Sequence, residues 1–333
     1  MNGISKYIRL SIGIALGIFF VWMIARKTSW QDFLRSFQDI HLGWIFLGLL
    51  FLSGGYCLRI FRWARILQPK AGLHYFRQAG GPLLAGFALN NVLPFRLGDV
   101  ARAFLFNRQL QVTSGTSIAS LFLERVFDLM TLLMFLSAAM YFFEDALPHW
   151  SGLALTLCLC GSAGLLLLTL WPRRFEKYCL WIAGFLFQFS ARWAERVRKE
   201  VKAGFVCLNA ASEKSQVLKL LGLSLLVWLF EGLFFVSLAF SLPALSSPIG
   251  AWLALPLGTL ATLIPSTPGY IGTFDFFVIQ AMVWTHNSQA ASTAFSLLTH
   301  LLIWLLPTLA GALYLLNRPL GFSLRKLGHE APT

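Results

Sequence analysis

The chain alternates long apolar runs with short polar connections along most of its length. A helix needs roughly twenty apolar residues to cross a ~30 Å hydrocarbon core, because each residue adds about 1.5 Å. Six runs reach that length, and each predicts a helix that spans a membrane. They are Tyr7–Ala25, Leu42–Ile60, Ser117–Phe143, Trp150–Trp171, Val217–Leu242 and Ala290–Leu316.

Two further apolar regions are interrupted by prolines and glycines. The first runs from about Gly80 to Leu93, so it reaches only about the middle of a membrane before it stops at Pro94. The second lies within Ile249–Trp284 and is interrupted over Ile264–Asp275. Polar, non-helical backbone at that depth is tolerated only inside protein or beside a water-filled cavity. We therefore predict two re-entrant hairpins; the alternative is a surface loop between two helices.

The two interruptions are similar in composition, since each carries a proline, then glycine, then an acid. The number of spans before each interruption predicts that the chain enters the two regions from opposite faces of the membrane. This is typical of an inverted repeat with broken helices that meet near the midplane. The predicted fold class is an all-α polytopic membrane protein with about six spanning helices plus two re-entrant hairpins. The matching residues are Pro94, Gly98 and Asp99, and Pro265, Gly269, Gly272 and Asp275.

Composition and charge agree with this pattern. Hydrophobic residues make up 57% of the chain and charged residues 12%, whereas a soluble protein has about 25% charged residues. The net charge of +13 follows the positive-inside rule rather than indicating nucleic acid. We predict a single integral membrane domain over residues 1–333 with both termini in the cytoplasm. The basic clusters behind this orientation include Arg59, Arg62, Arg65, Lys70 and Arg77 after the second span, and Arg318, Arg325 and Lys326 after the last.

The longest stretch that does not span a membrane, residues 173–215, is rich in basic residues. Its apolar part, Tyr178–Phe189, is too short to cross, and Ala191–Ala210 carries basic residues at helical spacing. We interpret the stretch as a basic amphipathic arm on the cytoplasmic surface. Each basic side chain near an anionic leaflet contributes about 1 kcal/mol to such binding. The other interpretation is a topology signal alone.

Charged side chains also occur inside the predicted membrane segments. A charge near the bilayer centre costs at least ~2.5–3.5 kcal/mol on insertion scales, so such residues face the bundle interior and pair. Glu124 and Arg125 lie four and three residues before Asp128, so one helix face carries all three. Asp99 and Arg102 of the first hairpin are also three residues apart. Two interpretations stand: a network of ion pairs that fixes the hairpin to the helix, or a site for a charged ligand.

Two acids have no basic neighbour in sequence. Glu231 stands alone in an apolar run, so it either pairs across the bundle or is protonated. Glu231 and Asp275 are therefore candidates for proton coupling. His300 is also alone in an apolar run, and we interpret it as a hydrogen-bonded core residue.

Three motifs now stand out: Asn90-Asn-Val-Leu-Pro-Phe-Arg-Leu-Gly-Asp99 with Arg102, Glu124-Arg125 with Asp128, and Ile264-Pro-Ser-Thr-Pro-Gly-Tyr-Ile-Gly272. Together they resemble the flippase-like membrane domain of lysylphosphatidylglycerol synthases, over roughly residues 10–316. The resemblance implies paired re-entrant segments, a bacterial inner membrane and movement of lipids between leaflets. That family often has Glu where Asp99 and Asp275 stand. We expect no soluble aminoacyl-transferring domain, so the lipid made by those synthases need not be the substrate.

The sequence thus favours a lipid translocase for an anionic phospholipid or a polyprenyl-phosphate-linked lipid. The alternatives are an integral-membrane enzyme on a lipid-linked phosphate or sugar, and a membrane partner of a lipid-synthesis enzyme. Such an enzyme usually needs clustered carboxylates or histidines, and the chain has no D-x-D or H-x-x-x-H motif. We therefore expect no enzymatic activity, catalytic residue, metal, cofactor or nucleic-acid partner. The predicted substrate-binding residues are Asn90, Asn91, Arg96, Asp99, Arg102, Glu124, Arg125, Asp128, Pro265, Pro268, Gly269, Gly272 and Asp275.

Overall fold

The computed structural model describes residues 3–69, 72–93, 96–147, 151–186, 191–264 and 267–317. This part of the chain is helical almost throughout and contains no strand, which confirms the all-α class. The α-helices are α1 (Gly3–Lys27), α2 (Trp30–Arg35), α3 (Leu42–Leu67), α4 (Leu73–Val92), α5 (Leu97–Phe104), α6 (Asn107–Leu110), α7 (Ser114–Phe142), α8 (Ser151–Leu170), α9 (Arg173–Leu186), α10 (Ala191–Ala211), α11 (Lys214–Ser241), α12 (Ala251–Ala261), α13 (Thr273–Trp284) and α14 (Gln289–Asn317).

Each of the six predicted spans coincides with one long helix, namely α1, α3, α7, α8, α11 and α14. Within the described ranges, α3, α11 and α14 are by themselves long and apolar enough to cross a membrane. In α7, the charged residues Glu124, Arg125 and Asp128 interrupt the apolar sequence. The chain is therefore a multi-pass integral membrane protein.

The second span is longer than predicted. It was expected to end at Ile60, with Arg59 and Arg62 contributing to a cytoplasmic basic loop, but α3 continues to Leu67. Both arginines are buried inside the bundle, where carboxylates from other helices pair with them. They are therefore interior residues rather than topology signals. Of the other basic residues used for orientation, Lys70, Arg318, Arg325 and Lys326 lie outside the described residues.

Contacts between distant segments define two ends of the helix bundle. At the first, which we call the loop end, the His41 N–H donates to the Ser241 carbonyl across 2.9 Å, so α3 begins where α11 ends. At the second, which we call the arm end, the Cys207 thiol of α10 donates to the Ile66 carbonyl near the end of α3, across 3.5 Å.

The first hairpin consists of α4, α5 and α6, and its base is closed at the arm end. The Tyr75 hydroxyl donates to the Leu110 carbonyl across 3.0 Å, and the Gln109 amide donates to the Gln78 carbonyl across 3.0 Å. Tyr75 shares an apolar cluster with Leu67, the last residue of α3. The segment therefore returns to the end at which it began, as a re-entrant hairpin must.

The second hairpin, α12 and α13, has its base at the loop end. Asn287 closes it, because its amide donates to the Ser247 carbonyl across 3.1 Å and accepts the Ser247 N–H across 2.9 Å. Ser247 follows shortly after Ser241, the residue that ends α11 beside the start of α3. The two hairpins therefore enter the bundle from opposite ends.

The residue before each returning helix has a positive φ. Arg96 precedes α5 with φ 52° and ψ 41°, and Gly272 precedes α13 with φ 87° and ψ −50°. The acids Asp99 and Asp275 follow at the third helical position, where the helix dipole favours negative charge. A positive φ before the helix, an acid at its third position and entry from opposite ends are features that an inverted repeat is expected to share.

The predicted basic arm forms α9 and α10 at the arm end. The Glu200 carboxylate accepts the backbone N–H of Gly115, near the start of α7, across 2.6 Å. Gly204 faces the same turn, since a Cβ there would lie 3.1 Å from the Gly115 carbonyl oxygen. This arm is therefore packed against a long helix of the bundle. The assignment of residues 1–333 to one domain stays a prediction.

Candidate functional site

A cavity of about 350 Å³ lies where the tips of the two hairpins meet. The hairpins supply α4 and α12, and the surrounding helices α3, α7, α11 and α14 supply the other walls. Its lining combines aromatic rings with charged and amide side chains, which suits a polar ligand inside an apolar bundle. The polar and aromatic lining residues include Tyr56, Arg59, Asn90, Asn91, Arg96, Arg125, Asp128, Trp228, Glu231, Tyr270, His300 and Trp304.

Arg96 is the charged residue at the tip of the first hairpin. Its Nε donates to the Tyr270 hydroxyl across 3.1 Å, and its Nη2 donates to the Thr262 carbonyl across 3.2 Å. Both acceptors belong to the second hairpin or the loop at its tip, so this side chain joins the two hairpins. Among the described residues, no carboxylate lies within 4.0 Å of its guanidinium. The cavity therefore holds a positive charge that no described acid neutralises directly.

One stripe of α14 contacts both hairpin tips. Its members, at four-residue intervals, are Ser296, His300, Trp304 and Thr308. Asn91 joins the first hairpin to this stripe. Its side-chain amide donates to the Thr308 hydroxyl across 2.8 Å, and its backbone carbonyl accepts the Trp304 indole N–H across 3.3 Å. The sequence interpretation considered His300 alone and missed this stripe, although polar residues at this spacing in an apolar helix were a usable signal.

Asp275 and His300 connect the second hairpin to the same stripe. His300 Nδ1 lies 2.9 Å from Asp275 Oδ1, and Nε2 lies 2.8 Å from the Gly269 carbonyl oxygen. The carbonyl can only accept, so Nε2 carries a proton. A second proton then lies between Nδ1 and Oδ1, on either the imidazole or the carboxyl group. Asp275 also accepts the Gly272 N–H across 2.9 Å, which caps α13.

Asp99 and Arg125 form an ion pair at the edge of the cavity. The Arg125 Nη2 lies 3.0 Å from Asp99 Oδ2, and the Asn90 amide donates to Asp99 Oδ1 across 3.0 Å. The side chain of Arg125 is 39% exposed, far more than the side chains of Arg59, Arg62 and Arg102. It is therefore accessible to a ligand while Asp99 balances its charge.

Arg102 and Glu124 were predicted as ligand residues, but the structure does not bring them to the cavity. Arg102 donates to both carboxylate oxygens of Glu124, across 3.2 and 2.6 Å. Its guanidinium stacks on Trp63 at 4.3 Å, and only 1% of its side chain is exposed. This pair fixes α5 to α7, which matches the ion-pair interpretation of the sequence.

Arg59 and Arg62 of α3 were not predicted as site residues. Arg62 donates to Asp128 across 2.6 Å, and Arg59 forms an ion pair with Glu231 while stacking on Trp228 at 4.7 Å. Glu231 therefore pairs across the bundle, which was one of its two predicted states. The usable signal was the two acids themselves, since an acid within a span requires a cation from another segment.

The remaining predicted residues lie in the tip of the second hairpin. Gly269 lines the cavity with φ 70° and Gly272 has φ 87°, so both positions favour glycine. A Cβ on Gly272 would also lie 2.6 Å from the Gly17 carbonyl oxygen of α1. Pro268 begins the short turn that contains Gly269, and Pro265 lies outside the described residues.

In or beside the cavity, five arginines face four carboxylates. Five ion pairs form between them, the longest from Arg102 to Asp99 at 3.9 Å, and Arg96 is the arginine left without a carboxylate in the described part of the chain. The same part contains no group of three His, Cys, Asp or Glu side chains placed to hold a metal ion. The arrangement can bind an anionic group by charge and hydrogen bonds from planar guanidinium donors.

Comparison with known proteins gives two matches. The sequence model of the family described as lysylphosphatidylglycerol synthase TM region matches residues 10–311. The chain is also similar to the UPF0104 membrane protein MJ1078 of Methanocaldococcus jannaschii, with 25% identity over 242 residues. That alignment covers 69% of this chain and 94% of the relative.

Proposed function

The chain belongs to the family of the lysylphosphatidylglycerol synthase transmembrane region, and we propose on that premise that it moves an anionic, phosphate-bearing lipid between membrane leaflets. The observation that carries the proposal is Arg96, a cation without a carboxylate partner among the described residues, in a cavity between two hairpin tips. A lipid phosphate supplies the missing negative charge. The lipid is an anionic phospholipid or a polyprenyl-phosphate-linked lipid.

Arginine suits this role because its planar fork of donors binds two phosphate oxygens at once. Arg96 uses Nε and Nη2 for the second hairpin, and within the described ranges its Nη1 donates no hydrogen bond. Arg125 lines the same cavity and is partly exposed. Two arginines on neighbouring walls therefore face the space in which a headgroup sits.

The hairpins provide a route for alternating access. Each enters from one end of the bundle, and their tips meet at the cavity through the contacts from Arg96 to Tyr270 and Thr262. In transporters with broken helices, one repeat moves against the other around a fixed site. We propose that these tip contacts break and re-form as the cavity opens first to one leaflet and then to the other.

Two pairs at the cavity, each an acidic and a basic side chain, are the proposed route for proton coupling. Asp275 and His300 share a proton along one hydrogen bond, and Glu231 is paired with Arg59. An anionic headgroup that approaches Arg59 or His300 competes with these carboxylates for the same cations. A carboxylate that loses its cation to the headgroup then takes up a proton from water more readily, which couples lipid binding to proton binding.

We also propose a cytoplasmic arm end, a bacterial inner membrane and transport without chemical change to the lipid. The basic residues of α9 and α10 favour the cytoplasmic side for the arm end. His300 is the histidine in the cavity lining, and both of its ring nitrogens are already engaged. It therefore has no free nitrogen for a nucleophilic role in this arrangement.

A reconstitution experiment tests this function. Purified protein is placed in phosphatidylcholine vesicles that carry a trace of headgroup-labelled phosphatidylglycerol or labelled polyprenyl phosphate. We expect an impermeant quencher to reach label from the inner leaflet faster than in protein-free vesicles, and mass spectrometry to recover the lipid unchanged. Chemical conversion of the lipid would instead support an enzyme. Exchange of neither probe would contradict the proposal.

A further inference from the structure

A second and larger space lies at the arm end, outside the cavity described above. It is a groove of about 910 Å³ between the start of α7, the end of α8, and the arm helices α9 and α10. Its lining is dominated by apolar side chains, several of them substantially exposed. Those that matter here are Phe104, Ile118, Phe122, Phe175, Trp193 and Val197.

The groove and the headgroup cavity lie on one stripe of α7. Ile118 and Phe122 line the groove, and Arg125 and Leu129 line the cavity. The steps between these positions are four, three and four residues, so the side chains follow one face of the helix. A long molecule lying along this face reaches from the groove to the Asp99–Arg125 ion pair.

The mouth of the groove carries positive charge. Arg196 lines it and stacks over Trp193 at 5.7 Å, and no described carboxylate lies within 4.0 Å of its guanidinium. Glu200 is the acidic residue of the lining, and its carboxylate is bonded to the Gly115 N–H across 2.6 Å. The groove therefore combines apolar walls with a cation, which complements the acyl chain and the charged headgroup of an anionic lipid.

We propose that this groove binds an anionic phospholipid, with an acyl chain between α7 and α10 and the phosphate at Arg196. The α7 wall belongs to a helix that the sequence predicts to span, so its exposed apolar residues are expected to face hydrocarbon. A basic amphipathic helix such as α10 is expected at the level of the headgroups. A loading role, in which lipid passes along α7 toward Arg125, rests on the proposed function; binding at the groove does not.

Photolabelling in nanodiscs tests the binding directly. The full-length protein is embedded with phosphatidylglycerol whose acyl chain carries a diazirine, or with phosphatidylcholine of the same chain, and labelled residues are mapped by mass spectrometry. We expect labels on groove residues such as Phe122 and Val197, several-fold more with phosphatidylglycerol. Val197→Trp, which fills the groove, should abolish them. Val206→Trp is the matched control, because Val206 is 69% exposed on the same helix but does not line the groove.

The role of the Arg196 charge is tested with the variant Arg196→Gln. Arg198→Gln is its control, because Arg198 is exposed and lies outside the groove lining. The preference for phosphatidylglycerol should disappear in the first variant and persist in the second. Equal labelling of the groove in wild-type and Val197→Trp protein would overturn the proposal, as would labels confined to the outer surface of the bundle. If Val197→Trp protein loses the groove labels but exchanges lipid normally, the proposed function stands and the loading role is removed. Failure of the loading role can therefore be distinguished from failure of the proposed function.

Discussion

The guanidinium of Arg96 donates a hydrogen bond of 3.1 Å to the hydroxyl of Tyr270. These residues lie at the tips of two hairpins that enter the bundle from opposite ends, and both have left-handed backbone conformations, with φ 52° and 61°. Backbone strain of this kind persists only where surrounding structure holds it, and it is concentrated at functional sites. The pair therefore marks the point at which the two hairpins and the cavity meet.

Re-entrant topology predicts the accessibility of single cysteines. In a chain without its native cysteines, Arg77→Cys and Gln111→Cys should react with an impermeant maleimide from the same side, because the hairpin base closes between Gln78 and Gln109. Ser247→Cys should react from the opposite side. Reaction of positions 77 and 111 from different sides would contradict the re-entrant arrangement. In the chain that keeps its native cysteines, Cys207 should react slowly, because burial raises the pKa of its thiol to about 11.

Close backbone approach predicts a large effect at Gly98. A Cβ there would lie 1.9 Å from the Gly86 carbonyl oxygen, so Gly98→Ala must push α5 away from α4. We expect a loss of ~1–3 kcal/mol, the usual cost of overpacking, seen as a lower unfolding temperature in detergent. Gly222→Ala in α11 is the control, because no atom lies within 4 Å of its Cβ position. Equal stability of the two variants would show that the hairpin is not packed as described.

The Arg102–Glu124 pair should behave as a structural element. Glu124→Gln leaves a buried guanidinium without its carboxylate, which costs ~3–5 kcal/mol for pairs of this kind. Replacing both partners, as Arg102→Met with Glu124→Leu, should restore much of the stability and retain lipid exchange, because neither residue lines the cavity. A double variant that is stable but inactive would place this pair in the ligand site after all.

Proton coupling through Glu231 is tested by the pH dependence of exchange. Glu231→Gln keeps the shape of the side chain and an oxygen that accepts from Arg59, but it cannot take up a proton. The exchange rate of this variant should vary less with pH than that of wild-type protein. Glu144→Gln, an exposed acid near the end of α7, should retain the full dependence. If Glu231→Gln keeps the wild-type profile, Glu231 has no part in coupling.

Much of the fold was predictable, because spans and hairpin tips depend on local properties. Run length defined the six long helices, and the prolines and glycines near Arg96 and Gly272 marked the two hairpin tips. The ion pairs were not predictable, since they join distant segments: Arg62 lies 66 residues from Asp128, and Arg59 lies 172 residues from Glu231. Arginines that follow an apolar run indicate topology when the local sequence alone is considered, because that sequence does not contain their carboxylate partners.

The candidate site was predictable only in part, because its side chains also find their partners in distant segments. The sequence grouped Arg125 with Asp128 by spacing, but a helix turns neighbouring charges toward different partners: Arg125 contacts Asp99, and Asp128 contacts Arg62. Neutralising Arg125 together with Asp128 would therefore break two ion pairs, with Asp99 and with Arg62. Neutralising Arg125 together with Asp99 removes both members of one pair.

Lipid exchange by Arg96 variants is the most direct test of the account. Replacing Arg96 leaves no described carboxylate without its cation, so Arg96→Lys and Arg96→Gln protein should still fold. The loss of the hydrogen bonds to Tyr270 and Thr262 should lower the unfolding temperature only modestly. Exchange of labelled phosphatidylglycerol or polyprenyl phosphate should fall about tenfold or more, since a hydrogen bond to a charged group contributes ~1.5–3 kcal/mol. Arg35→Gln, which removes an exposed arginine outside the cavity, should exchange lipid normally. Wild-type exchange by folded Arg96→Gln protein would contradict the assignment of the cavity as the headgroup site.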